Sequence, residues 1–296
     1  MALFDLSDRA KIRITGSDRV RFLNGQVTND VRKANSELSL PACVVNAKAK
    51  TEAFVFISSG QEEFLLDTDP ELRETLPQRL DRYVIADDVT IEDVSDRYAL
   101  FHVIAETAPT TPTESNWRRA CRFGLAGWDL IVSAPEHERV REELSEEGPL
   151  YDDAAAEQLR IEHGIPRWGR ELTSEIIPVE ANLADAAIDY GKGCYIGQEV
   201  ISRMKMSGQT NKRLCGLISV QERPLISGMR ITTPADESRD AGWITSAIRS
   251  QRLNKEIALG FVKRGYNEIG TALLARGDEN AAIPVVVTAL PFEPLA

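Results

Sequence analysis

The sequence is poor in residues that bind metals or form disulfides. It has three histidines and four cysteines among 296 residues. The cysteines are far apart, and no two of them form a Cys-x-x-Cys pair, so we expect reduced thiols rather than a disulfide framework. We also expect no zinc site and no iron–sulfur cluster held by this chain alone. The cysteines are Cys43, Cys121, Cys194 and Cys215.

Long apolar runs and a surplus of positive charge are also missing. No apolar stretch is long enough to span a bilayer, and the first residues lack the basic-then-apolar pattern of a secretory signal. We therefore expect a cytoplasmic protein without membrane contact. The formal net charge of −11 gives no general attraction to nucleic acid, so nucleic acid is not an expected partner. The polar connecting segments favour a monomer.

The periodicity of apolar residues predicts an α+β chain whose last third differs from the rest. Before residue 212, strand-like alternation is mixed with helical stretches, among them 70–84, with leucines four residues apart, and 152–164. After Lys212 the apolar runs are short and separated by turns. Such spacing is typical of a small barrel or sandwich. We therefore expect an α+β region followed by an all-β C-terminal third.

The stretch 191-GKGCYIGQE-199 contains one cysteine, Cys194, among three glycines, just before a predicted helix at 198–206. Glycines allow a tight turn and close backbone approach, and the start of a helix favours a negatively charged thiolate. Lys192 and Arg203 add positive charge nearby in the sequence. These features predict an exposed, reactive thiol. A glycine-rich turn around a buried cysteine is the alternative, and the residues alone leave both open.

Two other places suit a flat heterocyclic ligand. The segment 160–183 starts at Arg160 and interleaves arginines and glutamates with Trp168. This composition fits the rim of a pocket for a heterocycle or a carboxylated ligand, and it fits an ion-paired surface connection equally well. Asp129 lies on a predicted strand at 127–133. If it points inward, it could accept paired hydrogen bonds from an aminopyrimidine edge; if it points outward, it is a surface charge.

An ordered set of motifs resembles the YgfZ family, the folate-binding proteins associated with iron–sulfur cluster assembly. The most specific motif is K-G-C-Y-I-G-Q-E at 192–199. The resemblance implies a tetrahydrofolate-binding accessory protein that assists assembly or repair of iron–sulfur clusters in client enzymes through a reactive cysteine. Its expected partners are folate and iron–sulfur client or assembly proteins. The other motifs are RFLNGQVTNDV (21–31), VNAKAK (45–50), LDRYVIADDV (80–89), RIEHGIPRWGREL (160–172) and GWITS (242–246).

The YgfZ family is similar in fold to the aminomethyltransferase, or T-protein, of the glycine cleavage system. The resemblance therefore implies an α+β fold with three subdomains arranged as a cloverleaf around a central opening that holds folate. The first α+β subdomain would combine residues 1–50 with 155–210. The second would span residues 51–154, and the C-terminal β-barrel would span residues 211–296.

The resemblance also assigns roles to single residues. The octapeptide places the functional cysteine at Cys194. The G-W-D-L run places Asp129 where the T-proteins use a glutamate to bind the pteridine edge, and Asp67 stands in place of an asparagine on another strand. Besides these two aspartates, the expected folate-binding residues are Arg160, Trp168 and Lys192.

One position departs from the aminomethyltransferases. Ala53 stands where the resemblance requires an acidic residue, and an alanine cannot exchange a proton or stabilise a developing positive charge. The glycine-cleavage reaction is therefore not expected. A folate-dependent aminomethyl or methyl transferase is the alternative function, with the neighbouring Glu52 as a substitute acid if the strand register slips by one residue.

Overall fold

The computed structural model describes residues 1–112, 116–277 and 282–293. The chain forms two compact units, one made of Met1–Asp153 with Leu183–Ser202 and the other of Ala154–Asn182 with Arg203–Ala296. Within the described ranges, no helix combines the length and the apolar character needed to span a membrane. The division into three subdomains that the resemblance implies stays a prediction.

The first unit contains two five-stranded sheets. The strands are mostly antiparallel, and β4 (Thr51–Ser59) and β5 (Glu63–Thr68) are buried along nearly their whole length, which explains their continuous apolar runs. In order across the first sheet, the strands are β10 (Leu150–Tyr151), β1 (Ala2–Asp5), β7 (Tyr98–Ile104), β9 (Gly127–Ser133) and β8 (Arg118–Ala120). In order across the second sheet, they are β3 (Leu40–Val45), β4 (Thr51–Ser59), β5 (Glu63–Thr68), β2 (Ala10–Thr15) and β6 (Thr90–Asp93).

The helices predicted at 152–164 and 198–206 are confirmed as α4 (Asp153–His163) and α6 (Gln198–Ser207). The helix predicted over 70–84 is shorter, because a 3-10 turn at Pro70–Leu72 precedes α2. Pro77 lies in the first turn of α2, where no backbone N–H is needed for the helix. The described residues contain α1 (Arg19–Gln26), α2 (Thr75–Asp81), α3 (His137–Glu147), α4 (Asp153–His163), α5 (Ala184–Ala187) and α6 (Gln198–Ser207).

The second unit contains a closed six-stranded barrel, which confirms the predicted all-β C-terminal third. At Gly242 the φ angle is +149°, and an added Cβ would lie 2.0 Å from the carbonyl oxygen of Phe261, so only glycine lets these two strands pair so closely. In order around the barrel, the strands are β11 (Lys212–Ser219), β14 (Lys255–Lys263), β13 (Asp240–Ser250), β12 (Arg230–Thr232), β15 (Ala272–Arg276) and β16 (Ile283–Thr288).

Candidate functional site

Cys194 lies at the exposed tip of a loop between α5 and α6. Gly193 and Cys194 are exposed. The residues on either side of them are buried, with Lys192 only 6% and Tyr195 only 8% exposed. Of the two interpretations that the sequence left open, the structure therefore shows the exposed thiol. Its reactivity stays a prediction.

The Lys192 side chain points into the protein rather than into solvent. Its Nζ donates to the backbone carbonyl oxygens of Asn24, Val27 and Asn29, at 2.7, 2.6 and 2.8 Å. Burial lowers the pKa of Lys192 to about 8, although Asp30 acts in the opposite direction. The ammonium group therefore joins the Cys194 loop to the end of α1 and the segment that follows it.

Further contacts connect the same loop, which carries the motif at 192–199, to two other sequence motifs. Ile196 N donates to the carbonyl oxygen of Gly25 at 3.1 Å. Gly197 has φ of +82°, and an added Cβ would lie 2.6 Å from the carbonyl oxygen of Asn46. The motifs at 21–31, 45–50 and 192–199 thus meet in space, although they are far apart in the sequence.

The four cysteines differ in exposure. Cys43 and Cys215 are buried, and burial raises the pKa of both thiols, that of Cys215 to about 11. Cys121 is exposed like Cys194, but partial burial of its thiol raises its pKa as well. Cys121 is therefore the natural control for any experiment on Cys194.

A buried cluster joins the two aspartates predicted to bind folate. Arg122 donates from Nη1 and Nη2 to Asp67 at 2.9 and 2.8 Å, and from Nε and Nη2 to Asp129 at 2.8 and 2.7 Å. His102 Nδ1 lies 2.8 Å from Oδ1 of Asp129, because these two residues face each other across β7 and β9. Asp129 and His102 are both 0% exposed.

Every carboxylate oxygen of the two aspartates already accepts a hydrogen bond, since Arg9 Nε also donates to Oδ1 of Asp67 at 2.6 Å. Although burial acts to raise the pKa of Asp129, the charge of Arg122 holds it below its ordinary value, and the same balance applies to Asp67. Both aspartates are thus held by side chains of this protein, and a role for either of them in binding folate stays a prediction.

In the second unit, Arg160 lies in another buried ion-pair network. Its guanidinium donates to Glu157 at 2.6 and 2.5 Å, to Glu171 at 3.0 Å and to Ser246 Oγ at 2.7 Å. Ser246 donates in turn to Glu171 at 2.7 Å. These contacts join the motifs at 160–172 and 242–246. Trp168, in the same connection, is only partly buried and so more accessible than Arg160. A folate role for either residue stays a prediction.

The substitute acid considered for a transferase, Glu52, is already paired. Arg79 Nε donates to Glu52 at 2.5 Å, and its other nitrogens donate to Gln26 Oε1 at 2.9 Å and to the carbonyl oxygen of Val45 at 3.1 Å. Ala53, the next residue on β4, is fully buried. Val44 pairs with Ala53 but Val45 pairs with Thr51, so Glu52 lies at an irregularity of the strand pairing. A role for Glu52 as a substitute acid stays a prediction.

Sequence reasoning missed Arg79 and Arg122. Arg79 stands directly before the motif at 80–89, and Arg122 follows Cys121, but neither fits a periodic pattern. Their partners come from β4, β5 and β9, which are brought near them only by the fold. Spacing along the chain carries no signal of such pairs.

The first unit also has a groove of about 670 Å³. None of the residues predicted to bind folate lines it. In the part of the chain that the structure describes, no group of three or more histidine, cysteine, aspartate or glutamate side chains is arranged to hold a metal ion. The groove is lined by Thr15, Gly16, Ser17, Arg19, Gln61, Glu62 and Glu63.

Comparisons with known proteins agree with the motifs. Residues 212–293 match the family model of the glycine cleavage T-protein C-terminal barrel domain. The chain is 27% identical to the tRNA-modifying protein YgfZ of Cronobacter sakazakii, over 99% of this chain and 93% of that protein. It is 26% identical to an aminomethyltransferase of Saccharopolyspora erythraea, over 98% of this chain and 86% of that protein.

A solved structure with the same fold is aminomethyltransferase T of the glycine cleavage system from Bartonella henselae. The TM-score is 0.84, at 18% sequence identity, and the match covers 98% of this chain and 85% of that one. The chain therefore has the T-protein fold, α+β with a C-terminal six-stranded barrel, as the motifs implied. The resemblance to the YgfZ and T-protein families is confirmed in the same way.

Proposed function

We propose that this chain, which has the T-protein fold and is similar to YgfZ proteins over nearly its whole length, is a cytoplasmic, monomeric, tetrahydrofolate-binding accessory protein. It assists assembly or repair of iron–sulfur clusters in client enzymes through the thiol of Cys194. The observation that carries the proposal is the display of this thiol between two buried anchors, Lys192 and Tyr195. An exposed thiol held in one place suits an encounter with a protein partner or a small sulfur species.

Complementation of a deletion strain tests the role of the thiol. Wild type, Cys194→Ala and Cys121→Ala would be expressed at equal levels, and the activity of iron–sulfur enzymes would be measured. Because the relatives carry the name of tRNA-modifying proteins, tRNA modification is a second readout. We expect rescue by wild type and Cys121→Ala, and none by Cys194→Ala. Equal rescue by all three proteins would remove Cys194 from the mechanism.

The folate part of the proposal is supported by the fold and by the similarity to YgfZ proteins, not by the cluster around Asp129. Calorimetric titration with tetrahydrofolate tests it directly. We expect binding by wild type and weaker binding by Trp168→Ala, because stacking on a partly exposed ring needs no rearrangement of a buried ion pair. If titration of the wild type gives no heat, folate is not a ligand. The role of the Cys194 thiol would then be decided by the complementation experiment alone.

A folate-dependent transferase is the second candidate, because the match to an aminomethyltransferase structure covers 98% of this chain. Formation of methylene-tetrahydrofolate from an aminomethyl donor separates the two candidates. The accessory function predicts no turnover, since Ala53 supplies no acid and Glu52 is bonded to Arg79. Turnover that is lost in Glu52→Gln and kept in Cys194→Ala would favour the transferase instead.

A further inference from the structure

We propose that Lys192 is a positioning residue for Cys194. Its ammonium group holds the base of the loop through hydrogen bonds to backbone carbonyl oxygens. It does not act by stabilising the negatively charged thiolate of Cys194. The inference rests on the proposed function, in which Cys194 is the reacting group. It differs from the expectation drawn from the sequence, which counted Lys192 among the folate-binding residues and as a source of positive charge near the thiol.

The geometry of the ammonium group is the first step of the argument. A lysine has three N–H donors, and Nζ of Lys192 has three acceptors, the carbonyl oxygens of Asn24, Val27 and Asn29, at 2.6 to 2.8 Å. The side chain is only 6% exposed. All three donors are thus used inside the protein, and none remains for a ligand.

The acceptors explain why a lysine is needed at this place. Asn24 lies in the last turn of α1, where carbonyl groups lack partners within the helix and a positive charge is favourable. The helix itself carries no basic residue in its last turn. Lys192 supplies that charge from a position 168 residues further along the chain. The same contact therefore stabilises the end of α1 and fixes the loop that carries Cys194.

The second anchor lies on the other side of the thiol. The ring of Tyr195 is buried, with its centroid 5.0 Å from Nζ of Lys192, and Ile196 N donates to the carbonyl oxygen of Gly25. Only Gly193 and Cys194 stand exposed between the two anchors. A tip of two residues held at both ends presents the sulfur without any closing movement of the loop.

The charged groups around Lys192 have partners of their own. Asp30 is paired with Arg32 at 2.6 Å, and Asp189 with Lys33 at 2.8 Å. Asp189 also accepts from Gly191 N at 2.7 Å, within the Cys194 loop. The carbonyl oxygens are thus the hydrogen-bond partners of Lys192, and the aspartates affect it only by electrostatic attraction over a longer distance.

The test compares Lys192→Met with Lys48→Met, a matched control at an exposed lysine of the neighbouring 45–50 turn. Two quantities would be measured: the pH profile of iodoacetamide alkylation at Cys194, and amide hydrogen exchange in residues 191–197. We expect Lys192→Met to leave the pH midpoint of Cys194 alkylation unchanged. Amide exchange in residues 191–197 should become about tenfold faster through local opening, and the rate of such exchange does not rise with denaturant. Lys48→Met should change neither quantity.

Two results would overturn the proposal. A higher alkylation midpoint with unchanged exchange would make Lys192 an electrostatic activator of the thiol. Faster exchange that follows global unfolding in denaturant would make it a general stabilising residue with no particular effect on the loop. Both measurements are independent of the rescue of iron–sulfur enzymes in a deletion strain. They therefore test the positioning role of Lys192 even if Cys194→Ala rescues the strain and the proposed function fails.

A second variant covers the case in which Lys192→Met does not fold. Lys192→Arg keeps the positive charge, but its planar guanidinium cannot direct three donors at three converging carbonyl groups. We expect the same faster local exchange and loss of client rescue in this variant. Wild-type exchange together with full rescue would show that charge alone is sufficient, which contradicts positioning by the three bonds.

Discussion

At the residue scale, Arg122 is the side chain that joins the two buried aspartates of the cluster. It pairs with Asp67 and Asp129, and its guanidinium carbon lies 4.1 Å from the centre of the Phe56 ring. Removing one partner of a buried pair leaves an uncompensated charge, which costs about 3–5 kcal/mol. Exposed pairs contribute only about 0–1 kcal/mol.

The Asp129→Asn substitution should therefore lower the free energy of unfolding by about 3 kcal/mol. The matched control is Arg139→Met, which breaks an exposed pair with Glu143 and should cost less than about 1 kcal/mol. Urea denaturation of the purified proteins measures both values. Equal losses in the two variants would show that the buried cluster contributes no more than a surface pair.

The same cluster predicts how stability changes in acid. The pKa of Asp129 and Asp67 is lowered in the folded protein, so their contribution is complete above the ordinary aspartate pKa of about 3.9 and is lost as pH falls toward the folded value. The difference in unfolding free energy between wild type and Asp129→Asn should therefore shrink as pH is lowered from about 5. Urea midpoints at a series of pH values give this difference, and a constant difference would contradict the paired, ionised state.

At the element scale, the loop between α5 and α6 is defined by what holds its two ends. Lys192 fixes one end to carbonyl groups near α1, and Gly197 packs against Asn46 at the other. At the tip, a Cβ added to Gly193 would meet no heavy atom within 4 Å. Of these two glycines, only Gly197 has a steric reason to lack a side chain.

Substitution of these two glycines by alanine should have unequal effects. Gly197→Ala introduces a Cβ 2.6 Å from a backbone oxygen at a positive φ, so we expect a loss of about 2 kcal/mol. Gly193→Ala meets open space and should stay within about 0.5 kcal/mol of wild type. Thermal and urea unfolding provide the comparison. A similar small effect of both substitutions would mean that the loop moves freely and does not hold Cys194 in place.

At the scale of the whole molecule, the sequence predicted the α+β class and an all-β C-terminal third because both follow from local patterns, whereas the barrel was implied by the family resemblance. Short β-rich runs with turns after Lys212 correspond to β11 to β16. The helix predicted over 70–84 is confirmed only in part, as α2, because the chain first forms a separate 3-10 turn at Pro70–Leu72. Hydrophobic spacing and turn residues carry information only about residues a few positions apart in the sequence.

The candidate site was predictable only in part for the same reason. The glycine neighbours of Cys194 are local and favoured an exposed loop, but they left a buried thiol as an alternative that only the structure removed. The carbonyl partners of Lys192 and the arginine beside Asp129 come from distant segments. Because only the folded chain determines which of them meet, the sequence could not show that these side chains already have partners inside the protein.

The most direct test of the central claim is competitive alkylation of all four cysteines in the native protein, followed by mass spectrometry. Cys194 should react at least about tenfold faster than Cys121, whose thiol has a raised pKa. The buried Cys43 and Cys215 should react only after unfolding. If Cys194 reacts no faster than Cys121, the loop does not display a reactive thiol, and the account is contradicted.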